Sequence, residues 1–252
     1  MTTIQPEILQ RLIAAKNITL LTGAGLSAES GIPTFRDATN SLWSNIDPMA
    51  VASIDGFKKN PETVWAWHED MRKLFAGARP NPGHDGIALM EMLLQPAKVH
   101  VITQNIDGFH QEAGSSRVLE IHGTTRQIIC SRECGYAAAW TDDSPRVCPV
   151  CGGRTRPNVV WFGEALNEML FELAEESCKT ADIFFVVGSS WVVQPAAGLA
   201  LLAGNSGAMT VEINPGETPF SKFADYSIRV KASEFFQNLC SVVRTKKLRQ
   251  LR

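Results

Sequence analysis

Four cysteines constrain this chain more than any other feature. Cys130 and Cys134 stand as C-x3-C in "CSREC", and after 13 intervening residues Cys148 and Cys151 stand as C-x2-C in "CPVC". Two close pairs let two tight turns present four thiolates to one tetrahedral ion, with Zn–S near ~2.3 Å. Four sulfur ligands close the coordination sphere, so the expected zinc is structural and activates no water. The stretch that carries them, roughly 126–156, is expected as a small metal-held unit on a larger body. Cys178 and Cys240 lie outside the pattern and are expected as small core residues.

The larger body shows in the apolar runs. "NITLLTGAG", "KVHVITQNID", "RVLEIHGT", "DIFFVVGSS" and "AMTVEINPG" read as strands, and "YSIRVKA" as a sixth. Helical patterns separate several of them, including "HDGIALMEMLLQ" and "NEMLFELAEESCKTA". Strands alternating with amphipathic helices predict an α/β fold with a mostly parallel sheet covered on both faces. Polar residues gather at the carboxyl ends of the strands, where such sheets bind ligands. Residues 41–84 and 126–156 break the alternation and are expected as two insertions forming a smaller lobe. In the first, Val64, Trp67, Met71 and Leu74 share one helical face. Residues 1–40, 85–125 and 157–252 then form the larger lobe.

The formal net charge of −2 gives no electrostatic case for nucleic acid or an anionic membrane. No apolar run approaches the ~18 residues of a membrane span. Ile4, Ile8, Leu9 and Leu12 are spaced as an amphipathic first helix rather than a signal peptide. A cytoplasmic, reducing setting is therefore expected, with the clustered cysteines holding metal rather than forming disulfides.

After the first strand, Gly23, Ala24, Gly25 and Ala28 complete a G-x-G-x-x-A pattern. That pattern brings backbone close to phosphate at a strand-to-helix turn. An ordinary dehydrogenase would continue with a long helix and an acidic strand end about 20 residues on. Here Gly31 and Pro33 interrupt almost at once, in "SGIPTFRDATNSLW". The dinucleotide is thus expected to be held differently, under a loop that reorders.

These residues resemble a known family. "GAGLSAESGIPTFR", "TQNIDGFHQEAG", "IHGT", the two cysteine pairs, "VVWFGE" and "GSSWVVQPAAG" are similar, in order, to the motifs of the sirtuins, NAD-dependent protein deacylases. The resemblance implies a Rossmann-like lobe and a small zinc-bearing lobe, with NAD and an acyl-lysine peptide meeting between them. It also implies roles. The acyl oxygen attacks the nicotinamide ribose, nicotinamide leaves, and His122 draws a proton from the ribose hydroxyls as catalytic base. Asn105 and Asp107 line the nicotinamide pocket, and Gln104 contacts a ribose. Phe35 shields the reacting centre from water and Arg36 holds the pocket and loop. Gly188, Ser189 and Ser190 approach phosphate and ribose, Asn214 the adenosine ribose, and Ala232 the adenine. Val160, Trp161 and Phe162 belong to the segment on which an extended peptide adds as a strand.

"AESGIPTFR" and "RPNVVWFGE" are most similar to the bacterial and mitochondrial desuccinylase branch, which carries a Tyr and an Arg three apart on a small-lobe helix. His68 and Met71 stand at those positions, and methionine cannot bind a carboxylate. Arg72 is adjacent, but one helical step turns it about 100° away. A preference for neutral acyl groups is therefore expected, with Met71 pliable enough for longer chains. Rival readings are mono-ADP-ribosyl transfer or NAD hydrolysis by the same nicotinamide cleavage, and a non-catalytic NAD-sensing module. His122 and the peptide-pairing segment favour deacylation. The expected partners are acyl-lysine proteins or peptides, with neither nucleic acid nor membrane, and the expected working unit is a monomer.

Overall fold

The structure is a computed structural model describing residues 4–34 and 47–250, with side chains to residue 247. Helix α1 (Pro6–Ala14), strand β1 (Asn17–Thr22) and a five-residue helix α2 (Ala24–Ala28) come first. Past residue 46 follow α3 (Pro48–Val51), α4 (Ile54–Lys59), α5 (Pro61–Gly77), α6 (Pro82–Leu93), β2 (Lys98–Thr103), α7 (Phe109–Glu112) and β3 (Val118–Glu120). A second sheet is made of β4 (Gly123–Cys130), β5 (Ala137–Ala139) and β6 (Thr155–Val159). The chain returns through α8 (Glu168–Lys179), β7 (Ile183–Val187), α9 (Gly198–Asn205), β8 (Met209–Ile213), β9 (Tyr226–Ile228) and α10 (Ala232–Gln250).

Six strands form one parallel sheet in the order β3-β2-β1-β7-β8-β9. The period of two along each strand explains its burial on both faces. Ile18, Leu20, Phe185 and Val187 face one way, onto Ile8, Leu12, Met90, Phe235 and Phe236 of α1, α6 and α10. Leu21, Phe184 and Val186 face the other way, onto Ala174, Cys178 and Leu199 of α8 and α9. Order runs outward from β1 on one side and from β7 on the other. The reversal between them opens a crevice at their carboxyl ends, the ligand position of open α/β sheets.

The smaller sheet is antiparallel, in the order β5-β4-β6. Helix α5 starts at Pro61, with the Asn60 side chain accepting the Thr63 amide. It buries Val64, Trp65, Trp67, His68, Met71 and Phe75. Phe57, Val64 and Trp65 join Ile128, Trp140, Val159 and Trp161 in one cluster, so the helical stretch and the small sheet share a core. The expected apolar face is present, although Leu74 is only half-buried.

The run "RVLEIHGT" is not one strand. β3 ends at Glu120 in the large sheet, and β4 begins at Gly123 in the small one. Gly123 has φ +80°, and a Cβ there would lie 2.1 Å from the Asn158 carbonyl oxygen. Only glycine makes that corner, and His122 sits in it.

Candidate functional site

The crevice is built first from backbone. Gly23 N donates to Val187 O at 3.0 Å, and Gly25 N donates to Gly188 O at 2.8 Å. A Cβ on Gly25 would come 2.7 Å from Gly188 O, and one on Gly188 (φ +58°) would come 2.4 Å from Leu26 N. The loop after β1 therefore rests directly on the loop after β7, a contact closed to any side chain. Helix α2 stops at Ala28, as the early Gly31 and Pro33 predict. A cavity of about 190 Å³ opens here, lined by Gly25, Ala28, Gly188, Ile213, Pro215 and Ala232. The Asn214 side chain is aligned beside it, donating to Ser189 O at 3.0 Å and accepting from Gly216 N at 3.2 Å.

Residues after β2 close the inner end. Gln104 Nε2 donates to the Ser189 hydroxyl at 3.0 Å. Asn105 Nδ2 donates to Gly23 O at 3.1 Å and to Ser27 Oγ at 3.0 Å. Ser27 in turn donates to Asp107 Oδ2 at 2.7 Å, and Phe109 N donates to Oδ1 at 2.9 Å. Burial pushes the Asp107 carboxyl above its ordinary range, against those hydrogen bonds and the nearby Arg126, which pull it down. Ser27 links the two predicted residues, yet the sequence reading gave it no role although it lies inside the glycine motif. Behind this network His110 Nε2 meets Thr22 Oγ1 at 2.9 Å, with the His84 ring 5.1 Å away. Burial lowers His84 to about 4, and burial with the neighbouring His84 lowers His110 to about 3. Both rings are therefore neutral near pH 7.

His122 Nδ1 lies 3.1 Å from Gln104 O. A carbonyl can only accept, so Nδ1 carries the hydrogen and Nε2 keeps its lone pair. Burial lowers the imidazole pKa, and the Gln104 contact opposes it. The side chain is thus a neutral, oriented proton acceptor at the joint between the two sheets. Ser190 lies half-buried after β7. Phe35 and Arg36 lie outside the described residues.

The segment after β6 is held tightly. Val160 N donates to His122 O at 2.9 Å, Trp161 N to Glu164 Oε2 at 2.7 Å, and Phe162 N to Ala52 O at 2.9 Å. Its side chains diverge, Trp161 being 3% exposed and Phe162 44%. Arg156, buried, forks onto Glu164 and stacks 3.5 Å from the Trp161 ring centroid. His68 is fully buried, with Nδ1 2.9 Å from Val64 O and Nε2 accepting from Trp161 Nε1 at 3.1 Å. Met71 packs with Ile32, Val51, Trp67, Phe75 and Phe109. Arg72 turns away to pair with Asp142 and to lie over Trp140.

Cys130, Cys134, Cys148 and Cys151 bring their sulfurs within 4.8 Å of one another. Sγ separations of 3.4 Å (Cys130–Cys151) and 3.5 Å (Cys134–Cys148) are far beyond a disulfide bond. They approach the ~3.8 Å edge of a tetrahedron with Zn–S ~2.3 Å. Arg132 N and Gly153 N point at Cys130 and Cys151 sulfurs, at 3.3 and 3.4 Å, as thiolate-stabilising donors. The residues fit a structural zinc ion. Among the described residues no helix is long and apolar enough to cross a membrane.

A Rossmann-type parallel sheet, a glycine crevice at its order reversal and a four-cysteine lobe define a dinucleotide-binding protein of two lobes. The Sir2 family profile matches residues 23–195. The NAD-dependent protein deacylase of Corynebacterium glutamicum is 44% identical over 84% of this chain and 86% of its own. That of Aquifex aeolicus is 43% identical over 91% and 96%. The crystal structure of a Sir2 homologue complexed with NAD superposes with TM-score 0.89, at 39% identity, covering 97% of this chain and 96% of that one. A Sir2 structure with a deacetylated p53 peptide and 3′-O-acetyl ADP-ribose gives TM-score 0.81 at 34% identity, covering 93% and 96%. The chain belongs to the Sir2 family, the sirtuins.

Proposed function

We propose that this chain is an NAD-dependent protein deacylase, moving the acyl group of a modified lysine onto the ADP-ribose part of NAD as nicotinamide is released. The observation that carries this is the state of His122: a neutral ring, its Nδ1–H committed to Gln104 O, its Nε2 lone pair ready to take a proton. The family and its named deacylase relatives support the same reading. Bound NAD supplies a glycosidic bond with nicotinamide as leaving group and ribose hydroxyls as acyl acceptors. The cavity lined by Gly25, Gly188 and Ala232 is assigned to the adenosine end, and the backbone of the glycine turn at its edge to the pyrophosphate. Gln104 is assigned to a ribose, and Gly188, Ser189 and Ser190 to phosphate and ribose. Asn105 and Asp107 hold the carboxamide of nicotinamide, with Ser27 fixing the spacing between them.

The peptide is received on the segment of Val160, Trp161 and Phe162. Since their amides already donate within the chain and the Trp161 carbonyl already accepts from Glu164 N at 3.0 Å, the Val160 and Phe162 carbonyls are assigned to the added strand. Neutral acyl groups are preferred, because Met71 offers no charge, both nitrogens of His68 are engaged, and Arg72 is paired elsewhere. All these residues come from one chain, which suits a monomer. Four cysteines gathered for a metal ion and two buried singly, Cys178 and Cys240, suit a reducing cytoplasm.

Purified protein with NAD and acetyl-, succinyl- and longer-acyl-lysine versions of one peptide, followed by mass spectrometry, tests this. Nicotinamide and O-acyl-ADP-ribose should appear together, fastest with neutral acyl groups. Absence of both products with every peptide overturns the activity, and a succinyl preference above about tenfold overturns the specificity.

A further inference from the structure

A buried hydrogen bond ties the helical insertion to the segment that receives the substrate. Val64 O, one turn before His68 on α5, can only accept, so His68 Nδ1 carries the hydrogen and Nε2 is an acceptor. An indole N–H can only donate, and Trp161 Nε1 meets that acceptor at 3.1 Å. The two roles leave no alternative arrangement of protons. The indole is fixed on other sides too: the Arg156 guanidinium lies 3.5 Å from its centroid, and the Phe57 ring 5.1 Å away. Arg156 also donates to Val159 O at 2.6 Å, and Glu164, paired with Arg156, accepts the Trp161 amide. The next amide back, Val160 N, is bonded to His122 O. Contact therefore runs unbroken from α5 through one indole to the backbone beside the proton acceptor.

We propose that His68 is a positioning residue for the acyl-lysine substrate: by accepting the Trp161 indole N–H it sets the seat of Trp161, and so of the backbone from Val160 to Phe162. The inference rests on the deacylase reading. His68 touches neither NAD nor a reacting atom, since it is fully buried against Trp161 and Trp67. The effect should thus fall on the peptide and not on the nucleotide. A buried donor that loses its acceptor moves or drags in water, and either displaces the strand it belongs to.

Steady-state kinetics on an acetyl-lysine peptide and NAD test the assignment with four proteins: wild type, His68→Phe, His68→Gln and Trp161→Phe. His68→Phe keeps a ring but loses the acceptor; it should raise KM for peptide about tenfold and leave KM for NAD within about twofold. His68→Gln, whose carbonyl oxygen can accept the indole N–H, should recover most of the loss. The indole N–H resonance that vanishes in Trp161→Phe should shift in His68→Phe and return towards its place in His68→Gln. Combining His68→Phe with Trp161→Phe should cost no more than either alone. An unmoved peptide KM in His68→Phe, or an equal rise in both KM values, overturns the proposal. If His68→Phe fails to fold, Trp161→Phe decides by the same split between the two KM values. A wild type that releases no nicotinamide with any acyl peptide overturns the deacylase reading, and this with it; an active wild type beside an unaffected His68→Phe overturns this inference alone.

Discussion

The loop after β1 and the loop after β6 both reach residues that follow β2 and β3, yet different parts of the polypeptide hold them. The first is held by main chain on main chain: Gly23 and Gly25 lie on Val187 and Gly188, and Asn105 ties back to Gly23 O. The second is held by long side chains. Arg156 stacks on Trp161, Arg146 on Trp65 at 3.7 Å and Arg72 over Trp140 at 5.4 Å, while Trp65 and Trp140 meet edge-on at 5.2 Å. Backbone contact tolerates no added atom, so it fixes which residues can stand there. Stacked guanidinium and indole groups meet over broad faces, so that wall can take up shifts of a few tenths of an ångström.

The largest break falls where the walls join. His122→Ala should lower kcat by about 10²–10⁴ while calorimetry finds NAD affinity little changed, because the ring supplies a proton acceptor and not the cradle. Next in size, Gly188→Ala should damage the first wall selectively. Its Cβ would meet Leu26 N at 2.4 Å, so KM for NAD should rise at least about tenfold and chemical unfolding should show about 1–3 kcal/mol lost. A peptide KM that rose equally would mean that the walls are not separately held.

Acid should loosen both sides. Burial holds His68 and His84 neutral down to about 4, and burial with its neighbour His84 holds His110 neutral down to about 3, against an ordinary value of 6.5. The unfolded chain binds these protons first as pH falls from 6.5, so stability is complete above that value and is lost towards the folded-state values. The urea midpoint should drop across this window by an amount worth a few kcal/mol, roughly, and less steeply in His68→Gln. The smallest effect belongs to a single stacked pair. Arg146→Ala should cost about 0.5–2 kcal/mol, with faster amide exchange in α5 and β4 and unchanged exchange in β1 and β7.

The same contrast explains how much could be read from the sequence. Period-two apolar runs, the glycine turn and the paired cysteines are local signals, and the parallel sheet, the short α2 and the clustered sulfurs follow from them. Gln104, Asn105, Asp107, Gly188, Ser189 and Asn214 reach one crevice because each follows a strand of the same sheet. What could not be read depends on contacts across the chain. "RVLEIHGT" splits between two sheets because of an oxygen 35 residues further on, at Asn158. The burial of Arg156 depends on Glu164 and Trp161 folding around it. The engagement of His68 by Trp161, 93 residues away, leaves no trace in helical spacing.

The corner at Gly123 has a mechanical consequence. β4 and β6, which carry the metal-binding lobe outward, are paired at their roots, Gly123 opposite Val159, and the residues just inside that pairing are His122 and Val160. A lever travels least at its fulcrum. The pairing of Gly123 with Val159 and the bond from Val160 N to His122 O therefore pin the spacing between the imidazole and the neighbouring strand at the root of the small sheet.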